Sequence, residues 1–286
     1  MTAAVTPGAA RLAVMTRARA AGRPIVMLTA YDYPSARVAE EAGVDVVLVG
    51  DSAAMTVLGM TSTREIALDE LLMLTRAVRR AVTHVPVIGD LPFGTYEHDD
   101  TQAVDTARRF TEECGCDGVK LEGGGAMLSR VRAIAGAGIA VMGHVGLLPQ
   151  SVTSADGYRA KGRDVAQALA IVADAEALER AGCSSLVVEA VPAAIGALVA
   201  RRVSIPVIGI GAGADVHGQV LVYHDLLGLG VGRVARFVRQ YATGHADQVA
   251  AVARWAADVR AGRFPDVAES YGVPADVLAE VTARVG

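Results

Sequence analysis

The sequence predicts an α/β protein, a single (β/α)8 barrel of the TIM type with extra N- and C-terminal helices, on three observations. Eight short, mostly β-branched apolar runs recur along the chain. Most of the gaps between them hold Ala-, Leu-, Arg- and Glu-rich segments with helical spacing, and strand alternating with helix means a parallel sheet. No linker, low-complexity tract or charge block interrupts the 286 residues, which favours one closed barrel over an open doubly wound sheet.

The runs are PIVMLTA (24–30), VDVVLVGD (44–51), VPVIGD (85–90), DGVKLEGG (117–124), IAVMGH (139–144), SLVVEA (185–190), IPVIGIG (205–211) and QVLVYHD (219–225). Unbroken apolar stretches such as VVLV read as strands buried on both faces, as a parallel sheet requires. The first strand-to-helix turn lacks a G-x-G-x-x-G signature, so nothing there points to a dinucleotide fold. The last run reads as strand, helix or both. Helices are predicted over DELLMLTRAVRRAV (69–82) and over RDVAQALAIVADAEALERAG (163–182), which closes on Gly182. Beyond the last strand, RVARFVRQYA (233–242), DQVAAVARWAADVRAG (247–262) and PADVLAEVTARVG (274–286) read as helices. The predicted organisation is one barrel domain over 1–286, with a helical extension at 1–22 and a C-terminal tail at 265–286.

A net charge of −4 and a pI near 5.9 give no footing for a nucleic-acid partner. Cys114, Cys116 and Cys183 neither pair evenly nor show zinc-site spacing, so they fit a reducing, cytoplasmic setting as small core residues. Arg11, Arg17 and Arg19 break up the N-terminal stretch, which argues against a signal peptide or membrane span.

In such a barrel, catalytic groups stand where strands run out at their C-terminal ends. Here those ends carry Asp51 and Ser52, Asp90, Lys120 and Glu122, His144, and Glu189, followed by the glycines of GIGAG (209–213). One such residue alone would cap a helix; five polar ends and a glycine-rich sixth call for another explanation. Lys120 and Glu122, two apart, point to the same side. Asp51, Asp90 and Glu122 are hard oxygen donors that suit Mg²⁺ and suit zinc poorly. Lys120 is one of only two lysines, the other 25 of the 27 basic residues being arginine. It could act as a point charge for a carboxylate or an enolate, or as a Schiff-base nucleophile. GIGAG fits a phosphate cradle or a plain tight turn equally well. Of the six histidines, only His144 ends a strand.

The segments LTAYDYPSAR, LVGDSAAMTVLG, GDLPFGTY, VKLEGG, GHVGLLPQSV, GYRAKGR, VVEAVP, IPVIGIGAG and GQVLVYHDLLGL, running from Leu28 to Leu229, resemble the ketopantoate hydroxymethyltransferase family. The resemblance implies a (β/α)8 barrel with one Mg²⁺ per subunit. It also implies transfer of a hydroxymethyl group from 5,10-methylenetetrahydrofolate to 3-methyl-2-oxobutanoate, giving 2-dehydropantoate for pantothenate biosynthesis, and a homo-oligomer, typically a decamer. Carried over residue by residue, Asp51, Asp90 and Glu122 match the metal-site carboxylates, and Asp51, Ser52, Asp90 and Lys120 match the binding positions for the 2-oxo acid. His144 would face the substrate, and Glu189 matches the general base. The chain departs from the family pattern at 53–54, 60–67, 125, 217 and 269–271, without removing a matched site residue. Alternatives are a paralogue acting on a different 2-oxo acid, a phosphoenolpyruvate mutase or isocitrate lyase-like enzyme, a Schiff-base aldolase, and a barrel kept only for binding or assembly.

Overall fold

The structure, a computed structural model, describes residues 7–154, 157–232 and 234–286. Eight parallel strands close into a barrel in sequence order. They are β1 (Ile25–Thr29), β2 (Val46–Val49), β3 (Val87–Asp90), β4 (Gly118–Lys120), β5 (Ala140–Gly146), β6 (Ser185–Glu189), β7 (Val207–Ile210) and β8 (Gly218–Leu221). The ring is completed by pairing of β1 with β8, Ile25 opposite Gly218 and Leu28 opposite Leu221. Side chains alternate along each strand, so Met27, Val46, Leu48, Ile88 and Val187 fill the interior while Leu28, Val47, Val87 and Leu186 face the helices.

Those helices are α2 (Tyr33–Glu41), α3 (Ala53–Thr56), α4 (Leu68–Ala81), α5 (Asp100–Arg108), α6 (Met127–Gly136), α7 (Val165–Ala181) and α8 (Ala193–Arg202). A π-helical turn, Arg109–Glu113, continues α5. Local chemistry sets their ends: the Asp164 side chain accepts the Gln167 N–H at 2.8 Å to start α7, and Gly182, at φ 112°, ends it in a left-handed conformation that favours glycine.

Helix α1 (Pro7–Ala20) plugs the barrel floor, the end opposite the polar strand ends. Leu12, Met15 and Ala18 join the interior cluster, and burying side chains the size of Leu12 and Met15 contributes about 1.5–3 kcal/mol each. Arg11 pairs with Asp117 at 3.2 Å, while the same carboxylate accepts the Val87 N–H at 2.9 Å. The described part of the predicted N-terminal extension is therefore a structural part of the barrel; residues 1–6 lie outside the described residues.

Three features differ from expectation or refine it. The last run is divided, strand over Gly218–Leu221 and then a short helix α9 (Tyr223–Leu226). Residues 234–242, expected to be helical, form one turn at 236–237 and otherwise irregular chain, Arg233 lying outside the described residues. Here a tertiary contact overrides helical spacing: the ring of Phe237 packs so close to Gly211 that a Cβ there would lie 2.6 Å from it. Helices α10 (Gly244–Arg260) and α11 (Ala275–Val285) form as expected, yet neither buries a residue. On the outer faces of β1 and β8, Val26 is 50% exposed and Gln219 is exposed. Among the described residues, no helix is long and apolar enough to cross a membrane.

Candidate active site

At the C-terminal mouth of the barrel the polar strand ends converge on one cavity of about 1340 Å³, lined by Asp51, Ser52, Asp90, Lys120, Glu122, His144 and Glu189 among others. All seven predicted residues are brought together. Asp51, Asp90, Lys120, Glu122 and His144 are buried, and the carboxylate of Glu189 is slightly more open.

Strands β3 and β4 pair with Asp90 beside Lys120. That register places Lys120 Nζ 2.7 and 2.8 Å from the two oxygens of Asp90 and 4.0 Å from Glu122 Oε1. Burial alone would lower the Lys120 pKa, but Asp90, Glu122 and Asp51 together raise it above its ordinary value. The ammonium stays protonated, a poor nucleophile, which counts against the Schiff-base alternative.

Strand β5 delivers His144 between two carboxylates: Nδ1 lies 3.4 Å from Glu122 Oε1 and Nε2 lies 3.3 Å from Glu189 Oε2. At these lengths the contacts are ion pairs more than well-formed hydrogen bonds. Burial pulls the His144 pKa down, but the two glutamates prevail and raise it to about 9. Burial would likewise raise Glu122, which His144, Lys120 and the Gln150 N–H hold below the ordinary range instead. Asp51 is pushed well up, first by burial and then by Asp90. The hydroxyl of Ser52 is held by Tyr31 Oη at 2.8 Å.

In the buried cluster three carboxylates, Asp51, Asp90 and Glu122, share two cationic side chains, Lys120 and His144, and Asp51, held toward its neutral form, marks the surplus negative charge there, while Arg159, Arg163 and Arg236 also line the cavity. A divalent cation would relieve it, and the hard oxygen set suits Mg²⁺. Among the described residues no three such side chains already close into a ligand shell. Asp90 directs both oxygens at Lys120, and Gln150 holds one oxygen each of Asp51 and Glu122.

Sequence reasoning missed Gln150 and its partner Tyr96. Gln150, 3% exposed in the turn after β5, donates from Nε2 to Asp51 Oδ2 at 2.9 Å and from its backbone N–H to Glu122 Oε2 at 3.0 Å. Tyr96 Oη donates to Gln150 Oε1 at 2.6 Å. Neither residue sits in a periodic segment; the available signal was an amide four residues beyond Gly146, the glycine that ends β5, inside GLLPQSV. The glycines of GIGAG serve close packing, since a Cβ at Gly213 would lie 2.4 Å from that of Ala193 and one at Gly211 would strike Phe237.

The family model described as ketopantoate hydroxymethyltransferase matches residues 10–267. The chain is 48% identical over 251 residues to the 3-methyl-2-oxobutanoate hydroxymethyltransferase of Geobacillus kaustophilus (strain HTA426), spanning 88% of this chain and 90% of that one. With the enzyme of the same name from Thermobifida fusca (strain YX) it shares 48% identity over 257 residues, 90% and 91% of the two chains. Among solved structures, a phosphoenolpyruvate phosphomutase from Streptomyces platensis subsp. rosaceus superposes with a TM-score of 0.60 at 17% identity, covering 96% of this chain and 95% of that one. A phosphonopyruvate hydrolase in complex with oxalate and Mg²⁺ gives 0.60 at 14%, covering 96% of each. At such identities the shared property is the barrel itself.

Proposed function

From the chain's membership of the ketopantoate hydroxymethyltransferase family, we propose that it transfers a hydroxymethyl group from 5,10-methylenetetrahydrofolate to 3-methyl-2-oxobutanoate, with Mg²⁺ held by Asp51, Asp90 and Glu122, giving 2-dehydropantoate. The observation that carries the proposal is an arrangement in one cavity: a buried oxygen cluster at the ends of β2, β3 and β4, and Glu189 at the end of β6 across the mouth.

When bound, the cation supplies Lewis-acid polarisation of the 2-oxo group, which makes the neighbouring C3 proton easier to remove. The residues do the rest. Lys120 and Ser52 hold the carboxylate end of the 2-oxo acid, the ammonium as a compact charge and the hydroxyl as a donor. Glu189 takes the C3 proton, and the His144 imidazolium beside it keeps that side chain in place and balances its charge. The carbanion then forms a C–C bond to the methylene carbon of the folate, whose two C–N bonds are broken over the transfer; one water supplies the oxygen and proton of the product hydroxyl, and the C3 proton and the water's other proton go to the nitrogens of the departing tetrahydrofolate.

The experiment is to follow C3 proton exchange in D₂O by proton NMR, with Mg²⁺ and a panel of 2-oxo acids. Exchange of 3-methyl-2-oxobutanoate without folate, and product only once the folate is added, is expected. No exchange with any 2-oxo acid would overturn the proposal, and exchange confined to another acid would move the acceptor.

The same proposal includes a homo-oligomer, a decamer by family resemblance, acting in the cytoplasm on small molecules alone. Support comes from apolar surface that this chain leaves uncovered, Val26 on β1 and Val252, Trp255 and Val259 on α10, and from three cysteines that are buried and free. Sedimentation of a monomer at micromolar concentration would sink the oligomer.

A further inference from the structure

Gln150 is buried, polar and fully engaged, and no step of the proposed reaction uses it. Its amide orientation is fixed from both ends. Tyr96 Oη accepts the Glu122 backbone N–H at 3.3 Å, so its own proton is free to go to Gln150 Oε1, 2.6 Å away. At the other end, Nε2 faces two acceptors, the Leu91 carbonyl at 3.0 Å and Asp51 Oδ2 at 2.9 Å. A flipped amide would set an oxygen against both and a nitrogen against the phenol proton.

Locked this way, Gln150 occupies one oxygen on each of two carboxylates from different strands. Its Nε2 takes Asp51 Oδ2 and its backbone N–H takes Glu122 Oε2. Each of these carboxylates keeps one oxygen that Gln150 does not engage, Asp51 Oδ1 and Glu122 Oε1, the latter lying near Lys120 and His144. That restriction has a chemical meaning. Mg²⁺ takes about six oxygens at short distance in a strict octahedron and is served by carboxylates that give one oxygen each. Ca²⁺ takes roughly six to eight at longer distance and gains from carboxylates that give two.

Resting on the metal chemistry proposed above, we infer that Gln150, oriented by Tyr96, is a positioning residue that holds Asp51 and Glu122 to one free oxygen each and so sets the preference of this site for Mg²⁺ over Ca²⁺. Side chains in this outer position are known to change metal affinity roughly 10–100-fold when lost. The change expected here is in the ratio of the two ions. A merely structural role would weaken both alike.

The test uses the full chain stripped of metal by chelation, with Mg²⁺ and Ca²⁺ titrated separately by calorimetry into wild type, Gln150→Leu and Tyr96→Phe, each first shown by thermal unfolding to be folded. Leucine keeps most of the volume and removes the Nε2 donor. In Gln150→Leu the Mg²⁺ to Ca²⁺ affinity ratio is expected to fall by about tenfold or more, with a smaller fall in the same direction for Tyr96→Phe, which keeps the amide and frees its orientation. An unchanged ratio in both variants, including an equal loss for the two ions, overturns the inference and leaves the proposed reaction standing. A wild-type chain that takes up neither ion overturns the metal chemistry itself and this inference with it.

Discussion

Lys120 and Asp90 form a buried two-point ion pair, Nζ lying 2.7 Å from Oδ1 and 2.8 Å from Oδ2, with the two residues directly opposite each other on β4 and β3. The pair joins the two roles assigned to this side of the cavity, since Asp90 is a candidate metal ligand and Lys120 the candidate anchor for the 2-oxo acid. It also constrains how each can be tested.

Removing Asp90 is not a clean deletion of a ligand. Asp90→Ala would leave the Lys120 ammonium, 4% exposed, facing a void, and breaking a buried pair from one side costs about 3–5 kcal/mol. Asp90→Asn keeps the volume and an acceptor oxygen for Lys120 while removing the charge. Both variants are expected to lose C3 proton exchange, with the alanine chain melting well below the asparagine chain. Full exchange in a folded Asp90→Asn protein would remove Asp90 from the metal set.

Lys120→Arg tests shape at constant charge. The planar guanidinium fork needs more room than an ammonium held among Asp90, Glu122 and Asp51, and it cannot meet both Asp90 oxygens from the same point. Turnover is expected to fall sharply and the KM for the 2-oxo acid to rise. Wild-type kinetics would show that any cation suffices at this position.

These two residues were legible in the sequence for the reason that made the fold legible. A barrel strand buried on both faces has to be apolar, so a charged group at the end of VVLVGD, VPVIGD or DGVKLE stands out against its own strand, and the ends of eight such strands must meet at one mouth. Gln150 and Tyr96 had no such background. They lie 54 residues apart, Tyr96 in a loop and Gln150 in the single 3₁₀ turn Pro149–Ser151, and only the closed barrel brings the phenol to the amide. The helix expected over 233–242 is absent from its described part, 234–242, for a related reason: RVARFVRQYA has the spacing, but the Phe237 contact with Gly211 fixes the chain in a path that spacing cannot foresee. The exposure of Val26 on β1 and Gln219 on β8 was equally invisible, because the outward residues of a strand carry no mark of whether a helix covers them.

Away from the site, Glu40 offers a test of stability against pH. One of its oxygens accepts the N–H groups of Thr83, His84 and Val85 at 2.8, 2.7 and 3.3 Å, closing the turn between α4 and β3. Burial would raise its pKa, but the donors of His84, Thr83 and Val85, with Arg37, hold it below the ordinary carboxylate value. A depressed folded-state pKa stabilises the fold above the unfolded-state value, and that contribution disappears as pH falls through the folded-state value. Glu40→Gln is therefore expected to lower stability by about 1.5–3 kcal/mol near neutral pH, the usual worth of hydrogen bonds to a charged group. The gap from wild type should narrow on acidification below about pH 4, where the free carboxyl protonates. Urea melts across the acid range measure this, and a gap that is constant with pH would show that the charge of Glu40 contributes nothing.

The sharpest test falls on Glu189. Its backbone is fixed independently of its side chain, the carbonyl accepting the Leu147 N–H at 2.9 Å and the strand pairing in register with β5 and β7. Its carboxylate meets His144 Nε2 at 3.3 Å, and the imidazole stands between it and Glu122, which lies 3.4 Å from Nδ1. Glutamine in its place keeps the size and an acceptor oxygen for His144 but cannot take a proton. Glu189→Gln is therefore expected to fold normally and to bind Mg²⁺ and 3-methyl-2-oxobutanoate with near wild-type affinity. Its C3 proton exchange should drop by roughly two to four orders of magnitude, the usual contribution of a positioned base. If Glu189 merely balanced the charge of His144, the same substitution would lower the melting temperature and leave exchange nearly intact. Near-normal exchange in the folded variant would pass the role of base to His144, the next titratable group facing the same space.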